Sequence, residues 1–194
     1  TYKSDVAMQW SANGFLEPAS TEGLLVDGYK VCPFNITPDT EVQTENELGK
    51  IYLGSAPNHQ NQMGYYYNTY VGYSEEFRLT SSSGGLATHL MKELLTKKIV
   101  QHVFSVGEGS QDDFYTYKVC SSIEDVLSTS KTRYYPVSMA EVLKKVDELD
   151  GKIAVVGTAC FIKAIRLLQY YHPHLKEKIV FCIGIICGGQ KSKY

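Results

Sequence analysis

From Leu86 onward, apolar and polar positions alternate between two periods. Leu86, Ala87, Leu90, Met91, Leu94 and Leu95 fall on one face of a helix, with Thr88, Lys92, Glu93 and Thr96 on the other. Ser83 is placed to cap its N-terminus, and Lys97-Lys98 suit its C-terminus. Ile99 to Val106 is a β-branched strand run ending at Gly107, and Phe114 to Val119 is a second strand. Ser122-Ile123-Glu124-Asp125 opens a short helix. Ser138 and Glu141 form a capping box for another, with Val142, Leu143, Val146 and Leu149 as its apolar face up to Asp150-Gly151. Ile153 to Val156 and Ile179 to Ile186 read as buried strands joined by a helix over Cys160 to Tyr171, which is apolar except at Lys163, Arg166 and Gln169. Further upstream, Met63 to Tyr73 reads as a strand, so residues 65–106 form a strand–helix–strand unit. Residues 1–50 carry the turn signals Asn13-Gly14, Pro18, Pro33 and Pro38, and predict short strands and loops, with Ile36 to Gly49 polar and exposed. Continuous apolar strands alternating with helices predict an α/β fold: a largely parallel or mixed sheet with helices on both faces, plus a small irregular N-terminal segment.

Composition changes this picture little. The chain has 194 residues, 43% hydrophobic and 21% charged, enough for a real core. A net charge of −2 carries no footprint of nucleic acid, and no apolar run approaches the ~20 residues of a membrane span. Five cysteines without framework spacing point to a reducing compartment, hence the cytoplasm. The 15 tyrosines, several of them between Tyr52 and Tyr73, fit strand composition or a flat aromatic surface for a ring-shaped ligand.

Candidate chemistry gathers where such sheets bind ligands, at the carboxyl ends of strands. Four stretches fall there: Ser81 to Gly85, Gly107-Glu108-Gly109, Gly157-Thr158-Ala159-Cys160, and Cys187-Gly188-Gly189. In the first, serine hydroxyls and two glycines surround a helix N-terminus, which suits a phosphate or another anion; the same turn also reads as plain capping. Cys160 and Cys187 flank one strand–helix–strand unit. Side by side on one rim they make half of a tetrahedral metal or cluster site, and the alternative is two small apolar core residues. Cys120 and Cys182 read as core, and the five histidines show no metal-ligand spacing.

Taken in order, these blocks resemble one family. Arg78 to Leu86 resembles the Arg-x-x-Ser-Ser-Gly-Gly signature of the coenzyme F-420 hydrogenase/dehydrogenase β-subunit family. Lys131-Thr132-Arg133-Tyr134 is similar to its Gly-Ser-Lys-Tyr block, Gly157-Thr158-Ala159-Cys160-Phe161-Ile162 to its Gly-Thr-Pro-Cys-Gln-Ile block, and Ile186-Cys187-Gly188-Gly189 to its strand-end Cys-Gly-Gly block. The resemblance spans residues 65–194. It implies a flavin-dependent oxidoreductase that passes electrons between iron–sulfur clusters, a flavin and an acceptor. Residues 1–50 become a degenerate ferredoxin-like segment, and 51–194 an α/β flavin-binding core truncated at its C-terminus. Arg78, Ser82, Ser83, Gly84, Gly85, Thr132, Arg133 and Tyr134 are the implied contacts to FAD (or FMN), and Cys160 and Cys187 the implied metal ligands.

The resemblance also implies a four-iron four-sulfur cluster in the full-length protein, absent from this fragment, because its other two ligands come from a Cys-x-x-Cys beyond Tyr194. Implied partners are a redox protein or ferredoxin-like electron donor and a small-molecule acceptor, with no nucleic acid and no membrane span. Three departures stand out. Of the ferredoxin-type four-cysteine run only Cys32-Pro33 matches, with Glu22, Leu25 and Gly28 at the other ligand positions. Ala159 and Phe161 replace the proline and glutamine around Cys160, and Lys131 replaces a glycine. Two rival expectations follow: a non-catalytic binding or scaffold domain of the same fold, and a nucleotide-binding transferase that uses the helix N-terminus for a phosphate.

Overall fold

The structure, a computed structural model, describes residues 6–19, 26–35, 39–110, 113–189 and 191–194. β1 (Ala7–Trp10) and β2 (Leu16–Ala19) form an antiparallel hairpin, followed by α1 (Val26–Lys30) and α2 (Glu45–Leu53). β3 (Asn58–Gln60) and β4 (Gly64–Tyr66) form a second small hairpin before α3 (Leu86–Thr96). Then come β5 (His102–Glu108), β6 (Tyr115–Cys120), α4 (Ile123–Ser128), α5 (Ala140–Lys144), β7 (Ile153–Thr158), α6 (Ala159–Tyr171), α7 (Leu175–Lys178) and β8 (Ile179–Ile185).

The main sheet has the order β6-β5-β7-β8. β5 pairs antiparallel with β6 and parallel with β7, and β7 pairs parallel with β8, so the sheet is mixed. β7 is central, with Ile153, Ala154, Val155 and Val156 all buried. Alternation sends Ile153 and Val155 to one face, where they meet Val142 and Val146 after α5's start, Ile165 and Leu168 of α6, and Leu175 of α7. Ala154 and Val156 face the other way, onto Met91 and Leu94 of α3 and Val126 of α4. Helices therefore cover both faces. A register irregularity in the β7–β8 ladder places Ala154 opposite Phe181 rather than Val180. The extra residue lets Ile179 and Cys182, three apart, pack on the same face.

Several expectations are corrected. Met63 to Tyr73 is not a strand of this sheet: only Gly64–Tyr66 is extended, and it pairs with β3. Tyr67, Tyr70, Val71 and Tyr73 are all exposed, so the run has no buried face to hold it in a sheet. Residues 65–106 are thus not a strand–helix–strand unit. The stretch Ile36 to Gly49, of which 36–38 lie outside the described residues, is not uniformly exposed. Val42 and Leu48 are buried against Leu167 of α6. Thr44 and Glu47 form a capping box that starts α2, with Glu47 N donating to Thr44 Oγ1 at 3.2 Å and Thr44 N to Glu47 Oε2 at 2.8 Å. By contrast Ser138 does not cap α5 across a box. Its hydroxyl accepts from Ala140 N at 3.1 Å, Met139 occupies the cap in helical geometry, and Glu141 pairs with Lys144. Turns carry the chain on to Leu149, burying Val146.

The fully buried Gln169 ties α6 to the strand that follows. Its amide donates to Leu175 O at 3.3 Å and Ile179 O at 2.7 Å, and accepts from Arg166 at 2.9 Å. Gln169→Leu leaves those buried groups unpaired and costs about 1–3 kcal/mol. Urea unfolding at equilibrium checks this; an unchanged midpoint contradicts it.

Candidate functional site

Two loops meet at one rim of the sheet. The first runs from Ser74 to Gly85 and is closed on itself by backbone bonds. Ser74 N donates to Gly84 O at 2.8 Å, Arg78 N to Ser74 O at 2.9 Å, and Ser81 N to Phe77 O at 3.0 Å. The Arg78 guanidinium adds a bond to Ser83 O at 3.2 Å. Gly85 sits at the N-cap of α3 with φ +76°. A Cβ there would stand 2.7 Å from Phe77 Cβ and 2.9 Å from the Phe77 carbonyl carbon. Phe77 is buried, so only glycine satisfies both the left-handed backbone and the close approach.

Ser83 does not cap α3. The cap position belongs to Gly85, and among the described residues no side chain caps the first N–H groups of the helix. The helix N-terminus is therefore bare, the condition that favours an anion. The buried face of α3 also differs from expectation: Thr88, Met91 and Leu94 are buried, while Leu86 and Leu90 are exposed. Leu86 directly follows the left-handed Gly85 and is exposed, as are Leu79 and Tyr73.

The second loop follows α4, whose own cap is the Ser122–Asp125 box. Thr129 begins it beside the end of β5, since a Cβ on Gly107 would stand 3.2 Å from the Thr129 methyl. Lys131 adopts φ +83°. The glycine conformation expected at this place is thus kept, but by a lysine, at a strain of about 1–2 kcal/mol. Thr132 N donates to Ser82 Oγ at 2.9 Å, which ties the two loops together. Arg133 lies over the Tyr115 ring at 5.1 Å, and Tyr135 packs edge-on against Trp10, Phe114 and Tyr115. Tyr134 is exposed.

Four buried polar atoms on these segments have no hydrogen-bond partner among the described residues: Ser81 Oγ, His89 Nδ1, Ser130 Oγ and Arg133 Nε. Buried polar atoms are normally paired, and these are the kind of groups a phosphorylated ligand satisfies. The residues present fit such a cofactor. Ser81 belongs to the turn that the sequence pointed to, whereas His89 and Ser130 were not among its candidate residues. His89 follows Gly85 by one helical turn and Ser130 directly precedes the Lys131 block; those spacings were the available signal. Ser82, by contrast, spends its hydroxyl on Thr132, and Arg78 supports the turn through Ser83.

The cysteines stand elsewhere on the sheet. Thr158 of β7 is paired with Ile185 of β8, so Cys160 and Cys187 each lie two residues beyond a paired position. Cys160 Sγ shares a 3.1 Å hydrogen bond with Thr158 Oγ1, and Cys187 is exposed, accepting from Gly189 N at 3.4 Å. A cavity lined by Ala159, Ile162, Gly184, Ile185, Ile186 and Cys187 opens there. Among the described residues no group of three or more His, Cys, Asp or Glu could hold a metal. These residues do not fit a four-iron cluster by themselves. Burial pushes the Cys120 thiol up to about 11 and raises Cys182, as core positions do. Cys32 lies in a turn after α1, Gly28 in α1 itself, and Glu22 and Leu25 outside the described residues.

Fold and loops together define a mixed-sheet α/β module with a bare helix N-terminus facing a second, cation-bearing loop. Two family models of the coenzyme F420 hydrogenase/dehydrogenase beta subunit match it in succession, the N-terminal one over residues 69–144 and the C-terminal one over 150–194. The chain belongs to the coenzyme F420 hydrogenase/dehydrogenase beta-subunit family, whose members are oxidoreductase subunits. It is 29% identical to a coenzyme F420-dependent sulfite reductase of Methanocaldococcus jannaschii, over 63% of this chain and 22% of that protein. It is 29% identical to one of the subunits of the F(420)H(2) dehydrogenase of Methanosarcina mazei, over 61% of this chain and 33% of the relative. With the beta subunit of the F420-dependent formate dehydrogenase of M. jannaschii the figures are 33% identity, 56% and 28%. The chain thus spans a third or less of the length of these relatives. A chain of the F420-reducing [NiFe] hydrogenase complex from Methanosarcina barkeri shares the fold, with a TM-score of 0.60 and 24% identity over 70% of this chain and 49% of that one. Among the described residues no helix is long and apolar enough to cross a membrane.

Two substitutions check the loop geometry. Gly85→Ala combines left-handed strain with overlap on Phe77 and costs at least ~2 kcal/mol, whereas Lys131→Gly relieves strain and stabilises by up to ~1 kcal/mol. Thermal and urea unfolding read both; equal stability of all three proteins contradicts the loop conformations.

Proposed function

We propose that this chain is a flavin-binding oxidoreductase module that passes electrons between a redox partner, bound FAD and a small-molecule acceptor. The observation that carries the reading is the set of buried polar atoms without a partner among the described residues, Ser81 Oγ, Ser130 Oγ and Arg133 Nε on two loops joined by the Ser82–Thr132 bond and His89 Nδ1 in α3. The bare N-terminus of α3 offers backbone N–H groups and the positive end of the helix dipole to a diphosphate. Gly84 leaves the approach open, and Arg78 keeps the turn in shape by holding Ser83 O. Tyr73, Leu79, Leu86 and Tyr134 supply exposed apolar surface beside the turn for a ring system. The bound flavin would supply hydride or electron transfer, while the chain binds it, orients it and shields one side from water.

Cys160 and Cys187 offer half of a cluster ligand set past the ends of β7 and β8, and we assign them as ligands only in company with thiolates from outside the described residues. All five cysteines are free, which suits the cytoplasm we propose as its compartment. The lone Cys32-Pro33 remnant supports a second reading, a non-catalytic binding domain of the same family.

Titration with FAD followed by desalting separates the two. The flavin reading expects a yellow protein with flavin absorbance at one equivalent. It also expects Gly84→Val to lose at least ~10-fold in affinity with a small change in stability. A Cβ at Gly84 meets only ordinary contacts, 3.4 Å from Gly72 O and 3.5 Å from Tyr73 Cβ, so the fold tolerates it. A protein that stays colourless in excess FAD supports the non-catalytic reading.

A further inference from the structure

Among the described residues the β1–β2 hairpin pairs with no strand of the main sheet. A two-stranded hairpin is marginal by itself, so side-chain contacts decide where it sits. They converge on the half-buried Trp10, the single tryptophan of the chain. Its indole Nε1 donates to Asp113 Oδ1 at 3.2 Å, 103 residues further on and just ahead of β6. Its ring packs edge-on against Tyr135, with centres 5.7 Å apart. The Lys193 ammonium lies 4.5 Å from the centre of the same ring. Lys193 N also donates to Gly14 O at 2.9 Å in the hairpin turn. There Gly14 has φ +75°, and a Cβ would stand 2.8 Å from Tyr194 Cδ2. The hairpin, the loop before β6, the loop after α4 and residues 191–194 thus share one side chain. Tyr135 carries the contact onward. It packs on Phe114 and Tyr115 at 5.7 and 5.8 Å, and it follows by three residues Thr132, whose N–H is bonded to Ser82 Oγ. The same loop contains the left-handed Lys131, a conformation that persists only where the surroundings hold it.

We propose that the β1–β2 hairpin is a strap latched through Trp10, and that Trp10 is a positioning residue for the loop over residues 130–135. Strap and loop open together while the sheet stays closed. One ring pair, one cation over a ring and one hydrogen bond favour the latched state by on the order of 100-fold together. Central strands of a sheet open far more rarely than that, so the strap is a separate, weaker unit. A ligand seated against the loop tightens the strap, because coupling between two sites is reciprocal. That last step rests on the cofactor reading above, and the coupling of hairpin to loop does not.

The test follows amide and indole N–H exchange by NMR in the wild type, Trp10→Ala and Trp10→Phe, and in the wild type with saturating FAD. Trp10→Ala is expected to speed exchange ~10- to 100-fold at Gly14, Lys193 and Thr132 together, with the amides of β5 and β7 at wild-type rates. Trp10→Phe keeps a ring against Tyr135 and is expected to speed Thr132 by less than ~5-fold. Bound FAD should slow the Trp10 indole N–H by at least ~3-fold, a change that a merely structural tryptophan does not show. A wild-type rate at Thr132 in Trp10→Ala overturns the proposal, since the hairpin then moves alone. Faster exchange throughout β5 and β7 overturns it too, by making Trp10 part of the core. If FAD binds and the indole rate is unchanged, the positioning role fails while the flavin reading stands. If the wild type binds no FAD, the flavin reading fails, and Thr132 in Trp10→Ala decides the strap.

Discussion

Burial of β7 on both faces is the constraint from which the rest of the structure follows. With Ile153 and Val155 committed to α6 and α7, and Ala154 and Val156 to α3 and α4, neither layer can slide or be lost without exposing the other side of the same strand. That double commitment fixes where the strands end. β5 stops at Glu108 against the loop that follows α4, and β7 and β8 stop together at Thr158 and Ile185. The chemically distinctive residues lie just past those ends. The small α4 has its own box cap and leads into the Ser130–Tyr135 loop, which bonds the turn before α3 through Thr132 and Ser82.

At that rim, local strain and unpaired polarity occur together. Gly85 and Lys131 both hold left-handed backbone, one at no cost and one at some cost, and each adjoins a segment carrying buried atoms without partners among the described residues. A packed core satisfies its polar groups, as Gln169 does with three partners between α6 and β8. The contrast between Gln169 and Arg133 separates a residue that completes the fold from one that is left open by it. The chain belongs to a family of F420-linked oxidoreductase subunits and spans only part of the relatives it matches.

Long-period signals were legible in the chain itself. The spacing of Met91 and Leu94, the β-branched run before Gly107, and the apolar strands around Cys160 and Cys187 all lead to observed elements, and so to a mixed α/β sheet. Legibility failed where a side chain's fate is decided by something distant. Leu86 and Leu90 fit an apolar stripe, yet α3, which starts after the left-handed Gly85 packed on Phe77, buries Thr88 instead. The tyrosines after Met63 have strand composition but no second layer to lie against. Val42 and Leu48 sit in a polar stretch whose burial depends on α6, more than a hundred residues later. At the site, the blocks containing Arg78, Ser82 and Thr132 were visible in order. That Ser82 and Thr132 bond each other, and that His89 Nδ1 and Ser130 Oγ have no partner among the described residues, needed the tertiary structure.

The central claim is that the two loops form one phosphate-binding cradle. A crystal structure of the chain grown with FAD tests it most directly. The account predicts the diphosphate lying over the N-terminus of α3, with its oxygens within ~3.2 Å of both the first-turn N–H groups and the Arg133 guanidinium. A flavin seated at another surface, or one whose phosphates touch only one of the two loops, would contradict it.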